Sequence, residues 1–156
     1  EKGTIDAAEW IGPYDDQKLG FNKVAPFYHY PGWWEGGPEL DFFVNQKAYD
    51  GLSAEYKAII ESASAYAHTE MQAKYDARNP AALRTLVANK TRLVAFPKPV
   101  LDAAYKAAME LYSELNAKNA NWKKIYEDYS AFRREQNQWF RFAEGGFDSY
   151  MQSQKL

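Results

Sequence analysis

Glu9-Trp10 sets a carboxylate beside a main-chain carbonyl, two hard oxygens of the kind that hold Na⁺, Ca²⁺ or Mg²⁺. Further along, the stretch YHYPGWWEGGPE, residues 28 to 39, carries Trp33 and Trp34 between Pro31-Gly32 and Gly36-Gly37-Pro38. Glycine and proline at that density read as loop. A loop holds tryptophan at a cost, so the pair reads as the wall of a binding cleft. Asp41, and behind it Glu39, offer further oxygen donors just past the tryptophans. A plainer reading of the same residues is a solvated strand-end glutamate, a core tryptophan and ordinary surface carboxylates. A third is glycan chemistry: tryptophan walls stack on sugar faces, and Glu9, Glu35, Glu39 and Asp41 supply the carboxylates a small glycosidase needs, although no pair can be assigned acid and base from spacing.

Other chemistries find little purchase. His29 and His68 lie on different elements and support neither a zinc site nor a catalytic triad. The absence of cysteine excludes disulfides, cysteine-zinc sites and thiol catalysis, and it fits an oxidising compartment such as the periplasm. No GxSxG, P-loop or GxGxxG pattern occurs. With 19 basic and 21 acidic residues and no long charge run, the chain has no electrostatic footprint for nucleic acid or an anionic membrane.

The elements that must position these residues change character near Gly51. Before it, the apolar runs Thr4–Trp10, Val24–Tyr30 and Leu40–Val44 are short, aromatic or β-branched, and read as strands joined by loops. After it, Ser53 is a helix N-cap, and Tyr56, Ile59, Ile60, Ala63, Tyr66 and Ala67 recur with helical period until Asn79-Pro80 ends or bends the helix. A shorter helix over residues 81–88 follows, then a strand in Thr91–Phe96 closed by Pro97. Pro99 opens a helix striped by Leu101, Ala104, Ala108, Leu111, Tyr112 and Leu115, and the polar NAKNAN at 116–121 breaks it. Trp122, Ile125, Tyr126, Tyr129 and Phe132 begin a last long helix, reaching Glu144 before Gly145-Gly146 stops it. About 23 residues span about 34 Å, the width of a small domain, so its far end is expected to pack on something outside this chain. At 156 residues the default is one domain with a real core, and strands followed by helices make an α/β fold, a small sheet flanked by helices.

Residues 6 to 37, DAAEWIGPYDDQKLGFNKVAPFYHYPGWWEGG, closely resemble the solute-binding proteins of tripartite ATP-independent periplasmic (TRAP) transporters, in particular the branch that binds 2-oxo acids. Asp6-Ala7-Ala8-Glu9-Trp10, Gly12-Pro13-Tyr14-Asp15-Asp16 and Tyr30-Pro31-Gly32-Trp33-Trp34-Glu35 carry the likeness; FFVNQKAYDGL and NWKKIYEDYSAF extend it. The resemblance covers only the C-terminal half of such two-lobed proteins, so it implies one lobe of a periplasmic-binding-protein-like fold with an extended C-terminal helix. On this reading residues 1–51 face the ligand, residues 52–156 are mainly helical, and the N-terminal lobe with its carboxylate-holding arginine and signal peptide is absent from this chain.

The resemblance implies binding without turnover: capture of an organic acid in the periplasm and delivery to membrane permease subunits, by closure around a cation-bridged carboxylate. It places the metal, Na⁺ or Ca²⁺, on Glu9 and Trp10, with Asp41 as a further ligand. Trp33 and Trp34 become the wall against the acid's side chain, with Trp10 beside them and Glu35 and Tyr14 near its polar end. Adjacent residues on an extended segment face opposite ways, so one tryptophan is expected at the ligand and the other in the core. Dimerisation through the long aromatic helix from Trp122 onward is expected too, exposed aromatic surface favouring association. A folded chain that binds nothing is the remaining alternative.

Overall fold

Most of the helices begin where a side chain or proline takes care of their free amide groups; the helix Glu144–Ser153 is the exception. In the computed structural model, which describes residues 2–154, helix α1 (Pro13–Leu19) opens with proline in its first turn, carries Asp15 and Asp16 against the helix dipole, and ends at Gly20 in the left-handed region (φ 72°). Strand β1 (Phe27–Tyr30) follows, and then α2 (Gln46–Asp50), capped by the Asn45 side chain, which accepts the Ala48 amide at 3.1 Å. Helix α3 (Ala54–Ala88) starts at Ser53, whose hydroxyl accepts the Tyr56 amide at 3.3 Å. It stops in a Schellman motif: the Thr91 amide bonds the Leu86 carbonyl at 3.0 Å and the Lys90 amide the Val87 carbonyl at 2.9 Å, with Lys90 at φ 70°. That turn feeds β2 (Arg92–Ala95), which pairs parallel with β1 from Phe27↔Arg92 to Tyr30↔Ala95. A parallel pair needs a long crossover, and α2 with α3 provides it.

These elements form one compact unit, which ends at Pro97; a second begins at Lys98 with α4 (Lys98–Lys118), α5 (Ala120–Phe142) and α6 (Glu144–Ser153). Asn119 caps α5 through its side chain, which accepts the Trp122 amide at 3.0 Å. Helices α4 and α5 meet on an aromatic seam in which Tyr112 lies 5.9 Å from Trp122 and 5.2 Å from Tyr126 between ring centroids. Trp122, Tyr126 and Ser130 recur every fourth residue on that inner face. A second stripe of α5, Ile125, Tyr129, Phe132 and Trp139, is exposed.

Several sequence expectations are corrected. Thr4–Trp10 and Leu40–Val44 are irregular, and only Phe27–Tyr30 of the middle run is a strand, since among the described residues the sheet has two strands and offers the others no edge. Phe43 is 85% exposed, with nothing packed on it to reward extension. Pro80 neither ends α3 nor separates residues 81–88 from it. Proline removes one ladder bond at roughly 3 kcal/mol, but beyond it Ala82 and Leu86, one turn apart, are the buried apolar side chains of the described chain, and their burial offsets much of that. Nor does Gly145-Gly146 stop the chain: α5 ends at Phe142 and α6 runs through both glycines.

The solvent-accessible area, 13542 Å², is the energetic signature of this fold. Two separate folded bodies of these sizes would expose roughly 9,600 Å². Much apolar surface therefore has no partner within the chain.

Candidate functional site

Helix α1 follows directly on the segment carrying Glu9 and Trp10 and is held on two sides. On one side it is bound to α3: the Tyr14 amide donates to Asn79 Oδ1 at 3.1 Å, Arg78 Nη1 donates to the Tyr14 hydroxyl at 2.8 Å, and the Tyr75 hydroxyl donates to Asp15 Oδ2 at 2.7 Å. The Tyr14 ring meets the Tyr75 ring edge-on at 6.4 Å and lies 4.0 Å from the Lys18 ammonium. Hydrogen bonding to Lys18, with the charge of Arg78 added, holds the Tyr14 phenol below its ordinary value. On the other side α1 is bound to β1, where the Tyr28 hydroxyl donates to Asp16 Oδ2.

Asp16 is 6% exposed, and its second oxygen, Oδ1, is buried without a partner. Burial raises the Asp16 pKa; burial, then the Asp16 carboxylate it faces, raises that of Tyr28 as well. Both folded values lie above the unfolded ones, so each group's contribution is complete below its unfolded value and is lost as pH rises through the folded one. For Tyr28 this means full stability up to about pH 10 and loss above it. For Asp16 it means that the ionised form is the costly one. Tyr28→Phe should therefore cost about 2 kcal/mol near neutral pH, where it strips a buried carboxylate of its donor. Urea denaturation should show that penalty shrinking as the pH falls into the carboxylate range and Asp16 takes up a proton; a penalty unchanged with pH would refute the coupling.

Glu9 and Trp10 stand exposed on the irregular approach to α1. Asp41 is exposed on another irregular segment, before α2. Among the described residues no group of three or more His, Asp or Glu side chains converges on one point. The Glu9 carboxylate and Trp10 carbonyl fit a hard cation by donor type, but they supply only part of the about 6–8 oxygens that Ca²⁺ takes.

The two tryptophans differ from expectation. Residues 32–35 form a turn, closed by the Glu35 amide on the Gly32 carbonyl at 3.4 Å, so the segment is not extended and its neighbouring side chains do not part to opposite faces. The indoles meet edge-to-face at 5.5 Å, each 48% exposed, and neither is buried in a core. Trp34 folds back over Gly32, where an added Cβ would lie 3.6 Å from its ring, and meets Phe96 edge-on at 6.4 Å. Phe96 in turn lies 5.1 Å from His29. Glu35 is exposed at the end of the turn. The structure thus brings Trp33 and Trp34 together and puts Tyr14 in the α1–α3 joint. Asp16, Tyr28, Asn79 and Phe96, which hold the rest in place, escaped the sequence reading; Pro13 followed by two aspartates was the available sign of α1.

A parallel strand pair with a long helical crossover, followed by a helical unit, is the architecture of one lobe of a TRAP periplasmic solute-binding protein. One such protein, from Bordetella bronchiseptica RB50, superposes with a TM-score of 0.89 at 49% identity over 96% of this chain and 45% of its own; it was solved as a mixed-occupancy dimer, with copurified calcium and picolinate in one active site and the other apo. Another, from Pseudoalteromonas atlantica T6c with bound sodium and pyruvate, gives 0.89 at 36% identity over 99% of this chain and 46% of its own. The chain belongs to the DctP family, bacterial extracellular solute-binding protein family 7, which matches residues 1–119. A curated relative, the monocarboxylate 2-oxoacid-binding periplasmic protein of Nostoc sp. strain PCC 7120, is 44% identical over 153 residues, 98% of this chain. The chain spans 42% of that relative's length. The relatives are solute-binding proteins, which favours the organic-acid reading over the glycan-binding and glycosidase alternatives.

Proposed function

We propose that this chain provides the cation- and wall-bearing part of a cleft that captures an organic monocarboxylate in the periplasm and hands it to the membrane permease subunits of a TRAP transporter. A 2-oxo acid or an aromatic or hydrophobic acid is the ligand, and no turnover is involved. The observation that carries this reading is the pairing, in both solved relatives, of a monocarboxylate with a hard cation, for which the Glu9 carboxylate and Trp10 carbonyl, just ahead of α1, have the suitable donor types.

Glu9 and Trp10 would hold Na⁺ or Ca²⁺, with Asp41 as a further oxygen donor. When bound, the ion supplies the positive charge that draws the acid's carboxylate. Trp33 and Trp34 present half-exposed indole faces to the acid's apolar part, and Tyr14 and Glu35 border its polar end. Residues 1–51 form the ligand-facing part, and closure follows from tighter binding to the closed state. The exposed stripe Ile125, Tyr129, Phe132 and Trp139 on α5 supports homodimer formation through the long helix.

Thermal melts against a library of 2-oxo and aromatic monocarboxylates, with and without Ca²⁺, test the reading. A ligand at 100 times its dissociation constant should add about 2.7 kcal/mol. Selective, calcium-dependent shifts are expected. A melt that no acid moves would mean that this chain folds without binding.

A further inference from the structure

We propose that Phe96 is a positioning residue that holds the Trp33–Trp34 wall and thereby sets its preference for ring-bearing monocarboxylic acids over three-carbon ones. The inference rests on the reading of that turn as the ligand's wall and adds the feature that gives it selectivity.

The turn is weakly fixed by its own backbone. Its closing bond, Glu35 amide to Gly32 carbonyl, is long at 3.4 Å, and Gly36 and Gly37 after it have open space around them. Two large side chains on such a turn need support from elsewhere to stay in one arrangement. The support is a relay of rings. Trp33 is held by Trp34 at 5.5 Å and Trp34 by Phe96 at 6.4 Å, both nearly perpendicular, the favourable edge-to-face geometry. Phe96 itself is anchored. Its amide donates to the Tyr30 carbonyl at 2.7 Å, continuing the β1–β2 ladder, and its ring packs on His29 at 5.1 Å. The sheet therefore reaches the wall through the Phe96 ring as well as through the chain.

The chemistry of the ligand follows from what this arrangement fixes. Held indoles offer a planar ring a defined face or edge to pack on, whereas a three-carbon acid has too little surface to use it. Loss of the Phe96 ring frees Trp34, then Trp33, and penalises the acid that depends on both.

The test is calorimetric titration of the full chain with picolinate and with pyruvate in Ca²⁺, for the unaltered protein, Phe96→Ala, Phe96→Leu and Phe96→Tyr. Phe96→Ala should weaken picolinate about tenfold and pyruvate by less than about twofold. Phe96→Tyr should keep the original ratio, and Phe96→Leu, which preserves bulk without a ring edge, should fall between and carries the test if the alanine variant does not fold. Equal losses for both acids, or none, would overturn the inference while leaving the proposed function standing. Binding of neither acid by the unaltered chain would overturn the inference, and the proposed function with it if no acid of the library moves the melt.

Discussion

Glu9→Ala should weaken calcium-supported binding of a monocarboxylate by at least about 100-fold and abolish the dependence of binding on calcium. Disturbing even an outer partner of a metal ligand costs about 10–100-fold, and Glu9 supplies the one charged oxygen of the Glu9-Trp10 pair. In the proposed site its neighbour contributes through the backbone, so substituting the Trp10 side chain would leave that oxygen in place. Titrations in calcium and in chelator separate the contributions: the variant should bind as weakly in calcium as the unaltered protein does without it. Residual calcium dependence in Glu9→Ala would move the cation site to other residues, Asp41 first. Because Glu9 is exposed, the variant should keep the parent's urea midpoint, which makes any loss of binding local.

Leu86→Ala should have the largest effect on stability, about 3 kcal/mol, read as a fall in the urea midpoint with helix content as the probe. Leu86 is 1% exposed and, with Ala82, makes up the buried apolar core of the described residues. A domain of ordinary stability, about 5–15 kcal/mol, tolerates such a cavity, but a core this small has little in reserve. The carbonyl of the same residue receives the Thr91 amide in the turn leading to β2, so a collapsed cavity would disturb the strand entry too. A cost under about 1 kcal/mol would mean that α3 is held chiefly by its hydrogen bonds to α1.

The long periodic helices and β2 were legible in the sequence because each rests on a local signal: Ser53 as a cap, the polar NAKNAN break, a period of 3.6, the compact TRLVAF run before Pro97. The failures share a cause of another kind. Pro80 and Gly145-Gly146 are breakers by propensity, but helix continues through them, and a preference worth about 1–3 kcal/mol is overridden when packing or chain context favours continuity. Thr4–Trp10 and Leu40–Val44 have strand composition without strand partners, and pairing is a long-range property that no window of residues contains. At the site, the residue types at Glu9, Trp10, Trp33 and Trp34 announced themselves. What holds them did not: Asp16, Tyr28, Asn79 and Phe96 matter through contacts between segments remote in sequence or through burial, which composition leaves silent.

Pro80 lies one residue beyond the side chain that receives the Tyr14 amide, and having no N–H it leaves the carbonyl of Asp76 without its ladder donor. Mechanically this makes α3 a lever with its fulcrum in that turn. The arm beyond it is clamped by the buried Ala82 and Leu86, while the arm before it lies largely in solvent. Helix α1 is bolted at the fulcrum through Asn79 and Arg78, with Tyr75 a turn away, so any flexing there is passed to α1, the helix that the Glu9-Trp10 segment leads into.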